Sequence, residues 1–132
     1  MDGDVVPQVL SFLKLATEDL RELGVDSNRI VVDPGIGFGK TVKQNFSLLA
    51  RQHELLGCGY PLLAGWSRKS SLVAVAGLSP VPTADKSQHE RMVPSVAAAL
   101  LAVERGASIV RVHDVRETVQ ALKVFAALNP AN

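Results

Sequence analysis

Val6, Leu10, Leu13 and Leu20, with charged residues between them, share one face of a helical repeat and predict an amphipathic helix from Val5 to Leu23, stopped at Gly24. Ile30, Val31 and Val32 form a β-branched run that ends at Asp33, Pro34 and Gly35, the pattern of a buried strand feeding a glycine-rich loop. Thr41 and Gln44 have the spacing of a capping box. A second helix is expected from there to Leu56, ending at Gly57. Tyr60 to Gly65 reads as a second apolar strand, followed by Ser67 to Ser70 and a brief helical stretch to Ala76; Gly77 to Pro82 reads as a loop. From Asp85 to Arg105 the pattern is again helical and closes at Gly106, with Pro94 bending the helix or marking its first turn. Ser108 to Val112 is the third strand. Asp114 and Glu117 repeat the capping pattern before a last helix whose Val119, Leu122 and Phe125 share a face.

Strand, loop and helix therefore recur, with short strands that are nearly all apolar, as parallel strands covered on both faces are. The predicted class is α/β: a helix followed by three β/α units with parallel strands, part of a TIM (β/α) barrel. A whole barrel takes about 250 residues, whereas this chain has 132. Composition narrows the partners. The chain is 47% hydrophobic and 20% charged with a formal net charge of +1, which fits a folded domain and argues against nucleic acid or an anionic membrane surface. Cys58 is the single cysteine, and the start Met1 to Asp4 is acidic where a signal peptide is basic, so a reducing, cytoplasmic setting is expected. No apolar run approaches the roughly 18 residues that cross a bilayer.

Ligands in such sheets gather at the carboxyl ends of the strands, where loops converge and helix amino termini point inward. Those ends carry Asp33-Pro-Gly-Ile-Gly-Phe-Gly-Lys40, Gly65-Trp-Ser-Arg-Lys69 and Arg111-Val-His-Asp114. The first ends like a Walker A loop but has Pro34 where that motif needs glycine, and Lys40 stands where a dinucleotide fingerprint needs its third glycine, so neither nucleotide reading holds. The loop instead offers backbone that a ligand can approach, with Phe38 as a flat surface. Alternation along the third strand puts Ile109, Arg111 and His113 on one face and Val110 and Val112 on the other. An arginine projecting inward needs an anionic partner. Asp33 is one candidate; the other is a substrate anion cradled by Arg111, His113 and Lys69. Asp33 itself either begins a turn or accepts hydrogen bonds from the N–H groups of a planar heterocycle. Asp114 reads as a helix cap, His53 and His89 as exposed helical residues, and Cys58 as a loop thiol without a base. No transition-metal cluster is expected.

In order and spacing, Asp33-Pro-Gly-Ile-Gly-Phe-Gly-Lys40, Gly65-Trp-Ser-Arg-Lys-Ser70 and Arg111-Val-His-Asp-Val115 closely resemble dihydropteroate synthase. The resemblance runs from the first helix to the last and implies that residues 1–132 form the carboxyl-terminal half of a pterin-binding (β/α)8 barrel. It implies a cytoplasmic transferase of folate biosynthesis, the sulfonamide target, joining 6-hydroxymethyl-7,8-dihydropterin pyrophosphate to p-aminobenzoate with release of pyrophosphate. By position, Asp33 and Lys69 resemble the pterin-contacting carboxylate and lysine, Phe38 and Ser67 match the neighbourhood of p-aminobenzoate, and Arg111 and His113 match the anion site. Gly65 falls in the same substrate-binding set. The catalytic assignments are Asp33, Lys69 and Arg111. The resemblance also implies Mg²⁺ on the pyrophosphate, with its protein ligand outside this chain, and a homodimer through helices of this half. Pro94 and Ser95 depart from the Gly-Ser or Gly-Thr pair frequent there. Half of the pterin and metal contacts are absent, so the isolated chain is expected to lack turnover. The competing expectations are a self-associating half-barrel fragment that binds anions without catalysis, and a phosphate-binding half-barrel of another metabolic enzyme.

Overall fold

The structure, a computed structural model, describes residues 3–78 and 84–128, apart from the side chains of 84–89. The first helix, α1 (Val5–Glu22), starts at Asp4, whose carboxylate accepts from the Val6 N–H at 3.1 Å. It stops as expected at Gly24. There the Val25 N–H donates to Leu20 O and the Gly24 N–H to Arg21 O, an arrangement that needs the left-handed φ of +94° glycine supplies. Its buried stripe is Val5, Val6, Val9, Leu13 and Thr17. Packing ends one turn earlier than the apolar pattern implied, because Thr17 turns its hydroxyl back to the Leu13 and Lys14 carbonyls and Leu20 is left exposed.

Thr41 and Gln44 form both hydrogen bonds of the predicted capping box at the head of α2 (Val42–Ala50). The helix does not run on to Leu56. It ends at Arg51, and Gln52–Cys58 continues as a 3₁₀ helix closed by Gly59, not Gly57, in the left-handed region. Two partners account for the break. Arg51 turns to Asp4 and Glu54, whose carboxyls its hydrogen bonds hold below their ordinary values. Gln52, 2% exposed, donates to Ala102 O at 2.8 Å, which ties this segment to a helix far along the chain, α4 (Ala84–Glu104).

The predicted strands are parallel but much shorter than the apolar runs. Regular pairing covers β1 (Leu63–Ala64) and β2 (Ile109–Val110), with Leu63 opposite Ile109 and Ala64 opposite Val110. The first run contributes a single parallel bridge, Val32 to Leu62, closed by Val32 N–H to Pro61 O at 2.9 Å and Leu63 N–H to Val32 O at 2.7 Å. The middle segment is the centre of the core: Leu62 and Ala64 are fully buried, with Ile30, Val32, Leu48, Leu55, Trp66 and Ala102 packed around them.

After β1 come α3 (Ser70–Ala76) and α4 (Ala84–Glu104), and after β2 comes α5 (Val115–Leu128). From Ser79 to Pro82 the expected loop lies outside the described residues, as does the side chain of His89. Helix α4 passes through Pro94 without interruption and ends at Gly106 with the same glycine-dependent closure as α1. On α5 Leu122 and Phe125 of the predicted face are half-buried, but at its start Thr118 is the buried position and Val119 is exposed. Among the described residues no helix is long and apolar enough to cross a membrane.

Candidate functional site

The parallel register sends the chain out of Val32, Ala64 and Val110 in one direction, so the three loops meet at one end of the sheet. Beyond β2 the Arg111 N–H still donates to Ala64 O at 3.0 Å, which holds Arg111 beside Gly65. Its guanidinium lies directly over Gly65: a Cβ there would collide with Nη2 and approach Cζ to 2.9 Å. Glycine is required here for the space above it.

Arg111 does not point into a closed interior. Its side chain is 57% exposed and faces the Asp33 carboxylate, with Nη1 to Oδ2 at 3.5 Å. Both partners offered for Arg111 by the sequence therefore remain compatible with its position. An exposed pair at that distance contributes little to stability and leaves the guanidinium open to another anion. Asp33 also begins a turn, because its Oδ1 accepts from the Gly35 N–H at 2.8 Å.

Ser67 and His113 link the second and third loops twice. Ser67 Oγ lies 2.8 Å from His113 Nδ1 and accepts from the His113 N–H at 3.1 Å. Lys69 reaches across to the first loop, its ammonium 4.5 Å from the centre of the Phe38 ring and its stem packed against Gly37. Gly65, Ser67, Lys69, Arg111 and His113 line one open cleft of about 450 Å³ with Arg68 and Val112. Phe38 and Asp33 stand outside that cleft, joined to it through Lys69 and Arg111. Asp33 also borders a neighbouring apolar cleft with Val9, Phe12 and Pro34.

Several residues that organise the site carry no motif of their own. Lys40, whose position suggested a phosphate ligand only if the Walker reading had held, donates to Gly35 O at 2.9 Å and Phe38 O at 3.1 Å and so closes its own loop. Partial burial lowers its pKa, against the opposing pull of Asp33. Asn45 is 1% exposed; its Oδ1 accepts from the Gly37 N–H at 3.1 Å and its Nδ2 donates to Ser71 Oγ at 2.9 Å. A polar residue on the apolar face of α2 was the available signal for it. Asp114 heads α5 as predicted, its carbonyl accepting from the Thr118 N–H at 3.0 Å, while its Oδ1 faces Arg68 Nη2 at 3.4 Å. His53 is exposed as expected, and Cys58 packs half-buried against the core.

A family model described as pterin binding enzyme matches residues 1–113. A dihydropteroate synthase of Haemophilus influenzae is 43% identical over 124 residues, covering 94% of this chain and 42% of that protein. One of Escherichia coli strain K12 is 38% identical, covering 94% and 41%. Among solved structures, dihydropteroate synthase from Xanthomonas albilineans in complex with 7,8-dihydropteroate superposes with a TM-score of 0.91 at 40% identity, covering 100% of this chain and 48% of that one. The Burkholderia cenocepacia enzyme complexed with 7,8-dihydropteroate gives 0.86 at 48% identity, covering 97% and 45%. The chain thus spans less than half the length of the relatives it matches.

The seat of Arg111 is testable. Gly65→Ala is expected to keep the fold, since a flexible guanidinium can move aside, and to lower affinity for inorganic pyrophosphate about tenfold by displacing Arg111. Calorimetric titration beside urea unfolding checks this, and unchanged affinity would contradict the close approach.

Proposed function

The chain belongs to the pterin-binding enzyme family, and from that premise we propose that it is the carboxyl-terminal part of a dihydropteroate synthase, a helix and three β/α units of its barrel. One observation carries the reading: a carboxylate and a guanidinium from two different strand ends, Asp33 and Arg111, stand side by side and open at the mouth that Lys69 and Phe38 border. A pterin ring with adjacent N–H donors suits Asp33, and a diphosphate suits Arg111 with His113. Phe38 and Ser67 are then left for p-aminobenzoate.

In the proposed reaction the carbon–oxygen bond between the pterin methylene and the diphosphate breaks, and the diphosphate leaves with the electron pair. The arylamine nitrogen of p-aminobenzoate forms the new carbon–nitrogen bond and gives up a proton to solvent. Positive charge grows on the pterin and negative charge on the diphosphate. Asp33 beside the pterin and Arg111 beside the diphosphate, with Lys69 also against the ring, stabilise both. The arylamine is the nucleophile and needs little activation.

Mg²⁺ belongs to the proposal as a companion of the diphosphate. Among the described residues no group of three His, Cys, Asp or Glu side chains could hold a metal ion; the proposal places its protein ligand outside this chain, and no step here runs through it. A cytoplasmic setting and a homodimer through helices of this part are proposed on the resemblance alone. The proposal also holds that the isolated 132 residues do not turn over, since they carry only part of the site.

Two measurements test the reading. In a full-length enzyme carrying this sequence, Arg111→Ala is expected to weaken pyrophosphate and pterin-diphosphate binding by about thirtyfold and p-aminobenzoate binding by less than about threefold; equal losses would remove the assigned role. The purified 132-residue chain is expected to form no 7,8-dihydropteroate from the two substrates. Product at the rate of the full-length enzyme would overturn the claim that the site is incomplete, whereas pyrophosphate binding without turnover is the behaviour expected of a non-catalytic anion-binding half-barrel.

A further inference from the structure

Arg68 is the one non-glycine residue with positive φ, +59°, among the described residues. Side chains other than glycine, asparagine and aspartate enter that region at a cost and stay there only when their surroundings hold them. Its neighbours on either side are Ser67, bonded to His113, and Lys69, lying over Phe38. One strained backbone unit therefore aims two cleft-lining side chains at once.

What holds it comes from α4. The Arg68 N–H donates to Ser95 Oγ at 2.8 Å, and Arg91 Nη1 donates to Arg68 O at 3.3 Å. Ser95 is 3% exposed, and its hydroxyl proton is committed to Arg91 O at 2.6 Å, which leaves a lone pair directed at the Arg68 amide. Both polar groups of the strained peptide are thus clamped by residues four apart on a single helix. The Arg68 side chain is drawn the other way, to Asp114 at 3.4 Å.

We infer that Ser95, with Arg91, is a positioning residue for the second loop: it touches no substrate, but it fixes the Arg68 backbone and through it the directions of Ser67 and Lys69. The inference rests on the proposed function for the identity of the ligand, though the clamp itself does not. Arg111 is seated on Gly65 and anchored to Ala64, independently of Ser95. Removing the clamp should therefore separate p-aminobenzoate from the anion.

The test uses the full-length enzyme with Ser95→Ala, Ser95→Cys and Ser95→Thr. Cysteine is close in size but a weak hydrogen-bonding group, so it serves if the alanine variant folds poorly, and threonine restores the hydroxyl. The alanine and cysteine variants are expected to speed hydrogen exchange of the Arg68 amide, to raise KM for p-aminobenzoate about tenfold and to lower kcat through the displaced Lys69, with pyrophosphate affinity changed less than about threefold. Threonine should return all of these towards the parent values. A parent Arg68 amide that exchanges like an exposed loop amide would overturn the clamp whatever the substrate is. Lost protection with unchanged KM, or equal loss of p-aminobenzoate and pyrophosphate affinity, would overturn the positioning role. If the parent enzyme binds no p-aminobenzoate, the functional reading fails, while the exchange data still decide the clamp.

Discussion

The site depends on one backbone contact, the Arg111 N–H donating to Ala64 O just past the end of β2. It extends the parallel register by one residue and sets the arginine over the only kind of neighbour that leaves room for it, Gly65. Two contacts between the loops follow from that placement. Arg111 comes within reach of Asp33 from the first loop, and His113, two residues on, meets Ser67 from the second. A shift of one residue would exchange the strand's faces and put Val110 or Val112 where the guanidinium stands.

Behind this contact the core does ordinary work. The central segment, buried through Leu62 and Ala64, is gripped on one side by Val32 and on the other by Ser108 to Arg111. Gln52 ties the 3₁₀ segment to the end of α4, and Asn45 ties the glycine loop to α3, so the first loop of the site is fixed by a buried polar residue as well as by its strand. The three loops are not equally restrained. The first is closed upon itself by Lys40 and Asp33, whereas the second is held from outside by α4.

The places where helices start and stop were largely legible in the sequence, because Thr41 with Gln44, Gly24 and Gly106 act through their own backbone neighbours. So were the three strand ends and the residues that gather there. What was not legible depends on distant partners. The break of α2 at Arg51 reflects Asp4 and Glu54, and Asp114, at the head of α5, turns its carboxylate to Arg68. Arg111 was expected to face inward and stands more than half exposed, since alternation along a strand gives the face but not what covers it. Nothing in the sequence around Ser95 and Arg91 signals a part in the second loop. Their role arises from the crossing of α4 over a loop some 25 positions away, 27 for Ser95 to Arg68.

The central claim is that Asp33 and Arg111 stand together for a ligand and not for the fold. The most direct measurement replaces Asp33 by asparagine in the full-length enzyme and reads urea unfolding and pterin affinity on the same protein. A loose, exposed ion pair predicts a stability change below about 1 kcal/mol and a fall in pterin affinity of at least about thirtyfold. A loss of several kcal/mol with pterin affinity intact would mean that the pair is structural and that the site has been misread.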